Sequence, residues 1–375
     1  MRGAMLKPLA IAAGGTGGHL FPAEALAAAL TARGQRPVLF TDARTAARLG
    51  PGFAGVETHV IPAEGLAGRG FARAPGAALA LARGTLAARA VLGRIGPAAI
   101  VGFGGYPSVP PLLAARSLAR SRRPALVLHE QNAVLGRANR MLGRVADLLA
   151  LSFADTTRLP GDIATRVTGN PVRPAIAALA GGGYTPPAPE GPFRLVVTGG
   201  SLGARALAEA VPAALVLLPD QLRARLAVTM QARAEDAPRV AAALREAGIA
   251  ADVSPFFTDI AARLGSAHLV IARAGASTVS ELACAGRPSI LVPLPSAIDD
   301  HQAANARALA EAGGAIAIAQ HALTADDLAA RILLLAEEPR ELAAMAAAAA
   351  SLAAPDAAGV LADAVLALAQ TEIAA

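Results

Sequence analysis

Ile11-Ala-Ala-Gly-Gly-Thr-Gly-Gly-His19 closes a short apolar run in a glycine-dense turn and then opens an amphipathic pattern. That order gives a strand, a tight loop with bare backbone N–H groups and a helix N-terminus, which together receive an anionic or hydroxyl-rich ligand. Glycine at 14, 15, 17 and 18 removes the Cβ atoms that would hold a ligand off the backbone, and it permits positive φ. His19 follows at the helix mouth, where a general base or a hydrogen-bonding group is useful. A second such turn, Arg194-Leu-Val-Val-Thr-Gly-Gly-Ser-Leu-Gly203, comes about one domain length later, so the chain reads as two nucleotide-fold-like halves.

Further short apolar runs separate Ala-rich helical patterns at Pro37–Thr41, Ile100–Gly102, Ala125–His129, Leu269–Ala272 and Ser289–Pro293. Continuous apolar strands alternating with helices indicate parallel sheets covered on both faces, hence an α/β class. A length of 375 residues allows two or three domains. Val167-Thr-Gly-Asn-Pro-Val-Arg173 reads as a final strand running into a turn, and the Gly/Pro-rich stretch 181–192 is too broken for regular structure. The domain boundary therefore falls near 170, with domains at 1–170 and 171–350 and a helix at about 356–375 that packs back on the first.

One cysteine, Cys284, excludes a disulfide framework and a multi-thiolate metal site, and it fits a reducing compartment. The N-terminal apolar patch stops at Gly14, shorter than a signal-peptide core, and reads as the first strand. No window offers about twenty uninterrupted apolar residues, so nothing here reads as a bilayer span.

The net charge of +6 divides unevenly, with +11 over residues 1–165 and −5 over 166–375. Between Gly65 and Leu128 lie nine arginines (69, 73, 83, 89, 94, 116, 120, 122 and 123) and no acid, interspersed with Leu66, Phe71, Leu79, Leu81, Leu86, Val91 and Leu92. Arginine mixed with apolar residues suits an interfacial segment on an anionic membrane surface, although a solvated helix face has the same composition. Nucleic acid is disfavoured, because aromatic content is 3% and no recognition motif accompanies the charge.

Three further clusters carry polar chemistry. His129-Glu-Gln-Asn132 ends a buried strand in four polar residues, which at the carboxyl end of a parallel strand face a ligand crevice. Arg273-Ala-Gly-Ala-Ser-Thr-Val-Ser-Glu281 runs from a strand into a helix, with Ser277 or Thr278 as cap and Gly275 and Ala276 completing an anion seat. Glu281 suits the paired hydroxyls of a ribose, or else closes a capping box with Thr278. Asp299, Asp300, His301 and Gln302 form a polar post-strand loop able to bind sugar hydroxyls; adjacency in sequence argues against a metal site.

Taken together, Gly14–His19, Gly104-Gly-Tyr106, His129–Asn132, Gly169-Asn-Pro-Val-Arg173, Gly199-Gly-Ser-Leu-Gly-Ala204, Arg273–Glu281 and Asp300-His-Gln302 resemble, in order and spacing, the MurG family of peptidoglycan N-acetylglucosaminyltransferases. The resemblance covers about residues 8–320. It implies a GT-B fold, two Rossmann-like doubly wound domains facing across a cleft, and a peripheral enzyme at the cytoplasmic face of the inner membrane. It implies metal-independent, cofactor-free, inverting transfer of GlcNAc from UDP-GlcNAc to the 4-hydroxyl of MurNAc in undecaprenyl-diphospho-MurNAc-pentapeptide, giving lipid II. Transient contacts with other cell-wall enzymes are implied as well.

By that resemblance the donor contacts are Thr16, Gly17, Gly18, Asn132, Arg173, Ser201, Ala276, Ser277, Thr278, Val279, Ser280, Glu281, His301 and Gln302, with Phe257 presenting backbone groups to uracil. The acceptor side takes Gly14, Gly15, His19, Gly104, Gly105, Tyr106, His129, Glu130, Gln131 and Asn132. The candidate base is His19, with Glu130 or a further group as the alternative. Two features depart from the family pattern: Gln231-Ala-Arg233 stands where relatives often carry Gln followed by Thr/Ser-Gly, and the membrane segment has no tryptophan.

Three rival functions remain open at this level. A nicotinamide oxidoreductase would use Asp42 on the cofactor ribose, but Leu20 stands where the third fingerprint glycine belongs. Another GT-B transferase would act on a different lipid or a small aglycone. A non-enzymatic membrane adaptor would explain the arginines but not the polar clusters of the second half.

Overall fold

The computed structural model describes residues 7–15, 17–62, 74–200 and 203–374. They divide into two compact units, residues up to Arg173 together with Asp356 onward, and Pro174–Pro355. Each unit is built on one wholly parallel sheet.

The first sheet has seven strands: β1 Leu9–Ala12, β2 Pro37–Thr41, β3 Glu57–Val60, β4 Ala99–Gly102, β5 Ala125–Glu130, β6 Leu148–Leu151 and β7 Thr165–Val167. Their spatial order is β3-β2-β1-β4-β5-β6-β7. The second has six: β8 Phe193–Thr198, β9 Leu226–Gln231, β10 Ala250–Ser254, β11 Leu269–Ala272, β12 Ser289–Leu291 and β13 Ala315–Ala317, ordered β10-β9-β8-β11-β12-β13. In both, the chain starts in the middle, winds outward one way and then returns to wind the other. The strand pairs β1/β4 and β8/β11 are therefore the switch points, where consecutive connections leave on opposite faces and open a crevice at the carboxyl ends.

Burial explains why such short strands hold. Along β1, Leu9 and Ile11 join one apolar cluster with Leu26 and Leu30 of the helix Gly17–Ala32, while Ala10 and Ala12 join another with Leu92 and Leu112 on the opposite face. A strand covered on both sides needs apolar residues at every position, so its sequence shows an unbroken run. Strand β9 reads Leu-Ala-Val-Thr-Met-Gln and buries only alternate residues, because helices cover one of its faces. Strand β7 lies at the sheet edge with all three residues exposed, and it ends at Val167, where the sequence reading has the final strand begin.

The helix Ala357–Ala374 belongs to the first unit, although in sequence it follows the whole of the second. Leu361, Ala362, Ala364 and Val365 are buried in the same cluster as Leu9 and Leu26, and Arg33 reaches Asp363 at 3.2 Å. The first unit is thus completed by residues some two hundred positions beyond its last strand. Leu361→Ala empties a site with no exposure and should destabilise this unit by about 2–5 kcal/mol in denaturant titrations that follow it.

Candidate functional site

At the carboxyl end of β1 the chain turns through Gly14 and Gly15 into the helix Gly17–Ala32; Thr16 lies outside the described residues. A Cβ on Gly14 would stand 2.7 Å from an Asp42 carboxylate oxygen and 2.9 Å from Pro107, so only glycine fits. Gly15 has φ +90, and its N–H donates to the Thr45 hydroxyl at 3.0 Å. That hydroxyl in turn donates to Asp42, whose other oxygen accepts the N–H groups of Arg44 and Thr45. Asp42 is therefore consumed in capping the short helix Ala43–Ala46 and pinning the glycine turn. The ribose role required by a nicotinamide enzyme is closed to it.

His19 packs over Gly104 and Gly105, both at positive φ; a Cβ on Gly105 would come within 3.2 Å of the imidazole. Its Nδ1 lies 2.9 Å from Gln131 Oε1. Tyr106 follows the two glycines in a 3-10 turn, Tyr106–Ser108. Arg173 closes this side, with its guanidinium 5.3 Å from the ring centroid of Phe21, whose edge also limits the space at Gly17.

The His129–Asn132 cluster divides. His129, Glu130 and Gln131 are buried at 0, 2 and 1% exposure, and only Asn132 is half-exposed. The Glu130 carboxylate accepts four N–H groups at 2.9 to 3.0 Å, from the Asn132 backbone and side chain, the Gly136 backbone and the Asn139 side chain. With both oxygens engaged, Glu130 holds the 132–139 loop in place, and this takes the base role from it. His129 has no surface to offer an acceptor: Nε2 meets the Gly169 carbonyl at 3.1 Å, Nδ1 meets Gln131, and the ring leans on Phe103. Burial lowers its pKa to about 4, opposed by the Gly169 carbonyl and assisted by His19, so the ring is neutral at pH 7.

In the second unit, β8 is followed by Gly199-Gly200, and Ser201 lies outside the described residues. A Cβ on Gly199 would fall 2.4 Å from the Ala204 nitrogen, which is backbone and cannot yield. Gln231-Ala-Arg233 supports this turn. Gln231 accepts the Thr198 hydroxyl at 2.7 Å and donates to the Pro255 carbonyl at 3.2 Å, tying β8 to the loop that carries Phe257. Arg233 crosses Gly203 so closely that a Cβ there would lie 2.5 Å from its Cγ, and it is held by Glu235 and Asp236. Phe257 is 9% exposed beneath the Arg263 guanidinium, 4.2 Å from its ring centroid.

After β11, the helix Ala276–Ala285 begins at Gly275 without a side-chain cap. Thr278 is thus not the capping residue, and Glu281 lies a turn too deep to complete a capping box. Ser277, Thr278, Ser280 and Glu281 are half-exposed, whereas Ala276, Val279 and Leu282 face the core. The Ser277 hydroxyl is buried and has no hydrogen-bond partner among the described residues. Arg273, buried before this helix, donates to the Val292 and Pro293 carbonyls and to Gln320, bracing the neighbouring strand end. His301 meets the Ile298 carbonyl at 2.7 Å, and Gln302 accepts the Leu294 N–H at 3.0 Å. Asp299 and Asp300, at φ 57 and 55, turn the chain into the helix His301–Glu311. Spacing alone did not reveal Asn139, the Gly169 carbonyl, or Asn305, which donates to the Ala274 carbonyl, because their partners lie 9 to 40 residues away.

Residues 9–150 match the glycosyltransferase family 28 N-terminal domain, and residues 194–361 match the family 28 C-terminal domain. The chain is 57% identical over 359 residues to the UDP-N-acetylglucosamine--N-acetylmuramyl-(pentapeptide) pyrophosphoryl-undecaprenol N-acetylglucosamine transferase of Granulibacter bethesdensis, covering 96% of this chain and 93% of that one. It is 55% identical to the enzyme of the same name from Acidiphilium cryptum, covering 98% of each. Among solved structures it is similar to Acinetobacter baumannii MurG, with a TM-score of 0.76 and 31% identity over 96% of this chain and 99% of that one.

The neutral His129 has a consequence for stability. Folding lowers its pKa from 6.5 to about 4, so the unfolded chain binds the proton first as pH falls; the stabilisation is complete above 6.5 and is lost progressively towards 4, about 3 kcal/mol in all. His129→Asn should flatten the fall in thermal midpoint between pH 7 and 5 relative to the parent chain.

Proposed function

The chain belongs to glycosyltransferase family 28, and from that premise we infer that it transfers N-acetylglucosamine from UDP-N-acetylglucosamine to N-acetylmuramyl-(pentapeptide) pyrophosphoryl-undecaprenol. The observation that carries this is the near-full-length identity to transferases of that name. The reaction makes lipid II for peptidoglycan, with the 4-hydroxyl of MurNAc as nucleophile.

The chemistry follows from what each unit offers. Inversion at the anomeric carbon needs one hydroxyl to attack opposite the departing diphosphate and to lose its proton as the bond forms. His19 is the base in this reading. Gly14, Gly15, Gly104, Gly105 and Tyr106 shape the acceptor side around it, and a Cβ on Gly105 would crowd the imidazole. The leaving diphosphate gains charge as the glycosidic bond breaks, and oriented N–H groups with an arginine stabilise it. The start of the helix Ala276–Ala285, with the Ser277 hydroxyl, is assigned to the diphosphate, Glu281 to the ribose hydroxyls, and Arg173, His301 and Gln302 to the remaining donor contacts.

No described helix is long and apolar enough to cross a membrane. The helix Ala74–Ile95 instead exposes Leu79, Arg83, Leu86 and Arg94 along one face, at spacings of three, four and eight residues. We assign this face to peripheral contact with an anionic membrane at the cytoplasmic side, where the lipid-linked acceptor resides. Arg69, Arg73, Leu66 and Phe71 of the same arginine-rich stretch lie outside the described residues.

Radiolabelled UDP-GlcNAc with a synthetic lipid I analogue tests the transfer directly; product should form at the same rate in excess chelator, and transfer to diacylglycerol instead would replace the acceptor. His19→Ala should lower kcat by about 10²–10⁴-fold with little change in KM for the donor. Glu281→Ala should raise that KM with folding intact. Leu86→Asp should reduce co-flotation with anionic vesicles while leaving turnover of a soluble acceptor unchanged.

A further inference from the structure

Four hydrogen bonds join His19 to the end of β7 through residues that are far apart in sequence. The Gln131 amide nitrogen lies 3.0 Å from the His129 carbonyl oxygen, a group that can only accept, so this end of the amide is the donor. The same nitrogen lies 2.9 Å from His129 Nδ1, which must then carry a lone pair. The His129 proton consequently sits on Nε2, where it is donated to the Gly169 carbonyl at 3.1 Å. The other end of the amide, Oε1, faces His19 Nδ1 at 2.9 Å, and since that oxygen only accepts, His19 Nδ1 carries the proton. Each assignment forces the next one along the path.

We propose that Gln131 and His129 are positioning residues that lock His19 in its Nδ1–H tautomer, leaving the lone pair on Nε2 for the acceptor hydroxyl. This rests on the reading of His19 as the base. As the hydroxyl oxygen bonds to the anomeric carbon, its proton passes to His19 Nε2, and the electron pair of the breaking carbon–oxygen bond leaves with UDP. Gln131 Oε1 accepts the same Nδ1–H before and after, so the ring takes up the proton without reorienting. A carboxylate in place of Gln131 would present an acceptor to the His129 carbonyl and to a lone pair on Nδ1, which is why an amide belongs here. Burial of the inner part of the path keeps water from supplying alternative partners there: His129 and Gln131 are 0 and 1% exposed.

The test is nitrogen-15 NMR of histidine-labelled protein, with His19 assigned by the loss of its signals in His19→Ala. In the parent chain the Nδ1 shift should be that of a protonated ring nitrogen and Nε2 that of a bare one; the reverse pattern would overturn the proposal. Gln131→Met, similar in size and without hydrogen-bonding groups, should move His19 towards a mixture of tautomers and lower kcat about tenfold, with KM for UDP-GlcNAc within twofold of the parent. An unchanged tautomer and kcat in this variant would also overturn it. Failure of the underlying reading is seen separately: if His19→Ala retains full kcat, His19 is not the base, whatever tautomer it adopts.

Discussion

Both domains depend on glycine backbone where the first strand of a parallel sheet gives way to a helix. At that switch point the connections diverge, so the strand ends face open space and not a covering helix. The turn must be tight enough to expose N–H groups and bare enough to admit a ligand. Gly14 and Gly199 meet the requirement in different ways: Gly14 is confined by the side chains of Asp42 and Pro107, and Gly199 by the backbone of Gly203 and Ala204. A methyl group at either would move the turn that follows the strand.

Around those turns, acidic side chains are used largely for architecture. Asp42 caps a helix and secures the first turn through Thr45, and Glu130 gathers the N–H groups of the following loop. A carboxylate satisfied by several N–H donors is a rigid anchor for the loop that supplies them. The His19 imidazole meets an amide instead, with Nδ1 2.9 Å from Gln131 Oε1. The amide of Gln131 orients that ring without adding charge.

The second half shows the same economy with arginine. Arg273 is buried at 7% exposure with carbonyl and amide partners, and desolvation lowers its pKa from the usual arginine value. It braces the carboxyl ends of the strands beside the helix Ala276–Ala285. Arg233 lies across Gly203 and supports the second glycine turn through its ion pairs. Gln231-Ala-Arg233 thus ties β8, its turn and the Phe257 loop together.

The sequence by itself determined the α/β class, the positions of most doubly covered strands (β6, buried throughout, is the exception) and the two glycine turns, because those features are written in contiguous residues. An unbroken apolar run needs no partner to be recognised, and neither does a glycine cluster behind it. Half-covered or edge strands such as β3, β7 and β10 escaped that reading, since exposure on one or both faces leaves a mixed pattern. Which polar residues are reachable was decided only by the tertiary structure. His129, Glu130, Gln131 and Asn132 look alike as four polar positions after a strand, yet three are buried and one is half-exposed. Their roles are set by Gly169, Asn139 and His19, up to 112 residues away, and a hydrogen bond across that separation exists only once the sheet has brought both ends together.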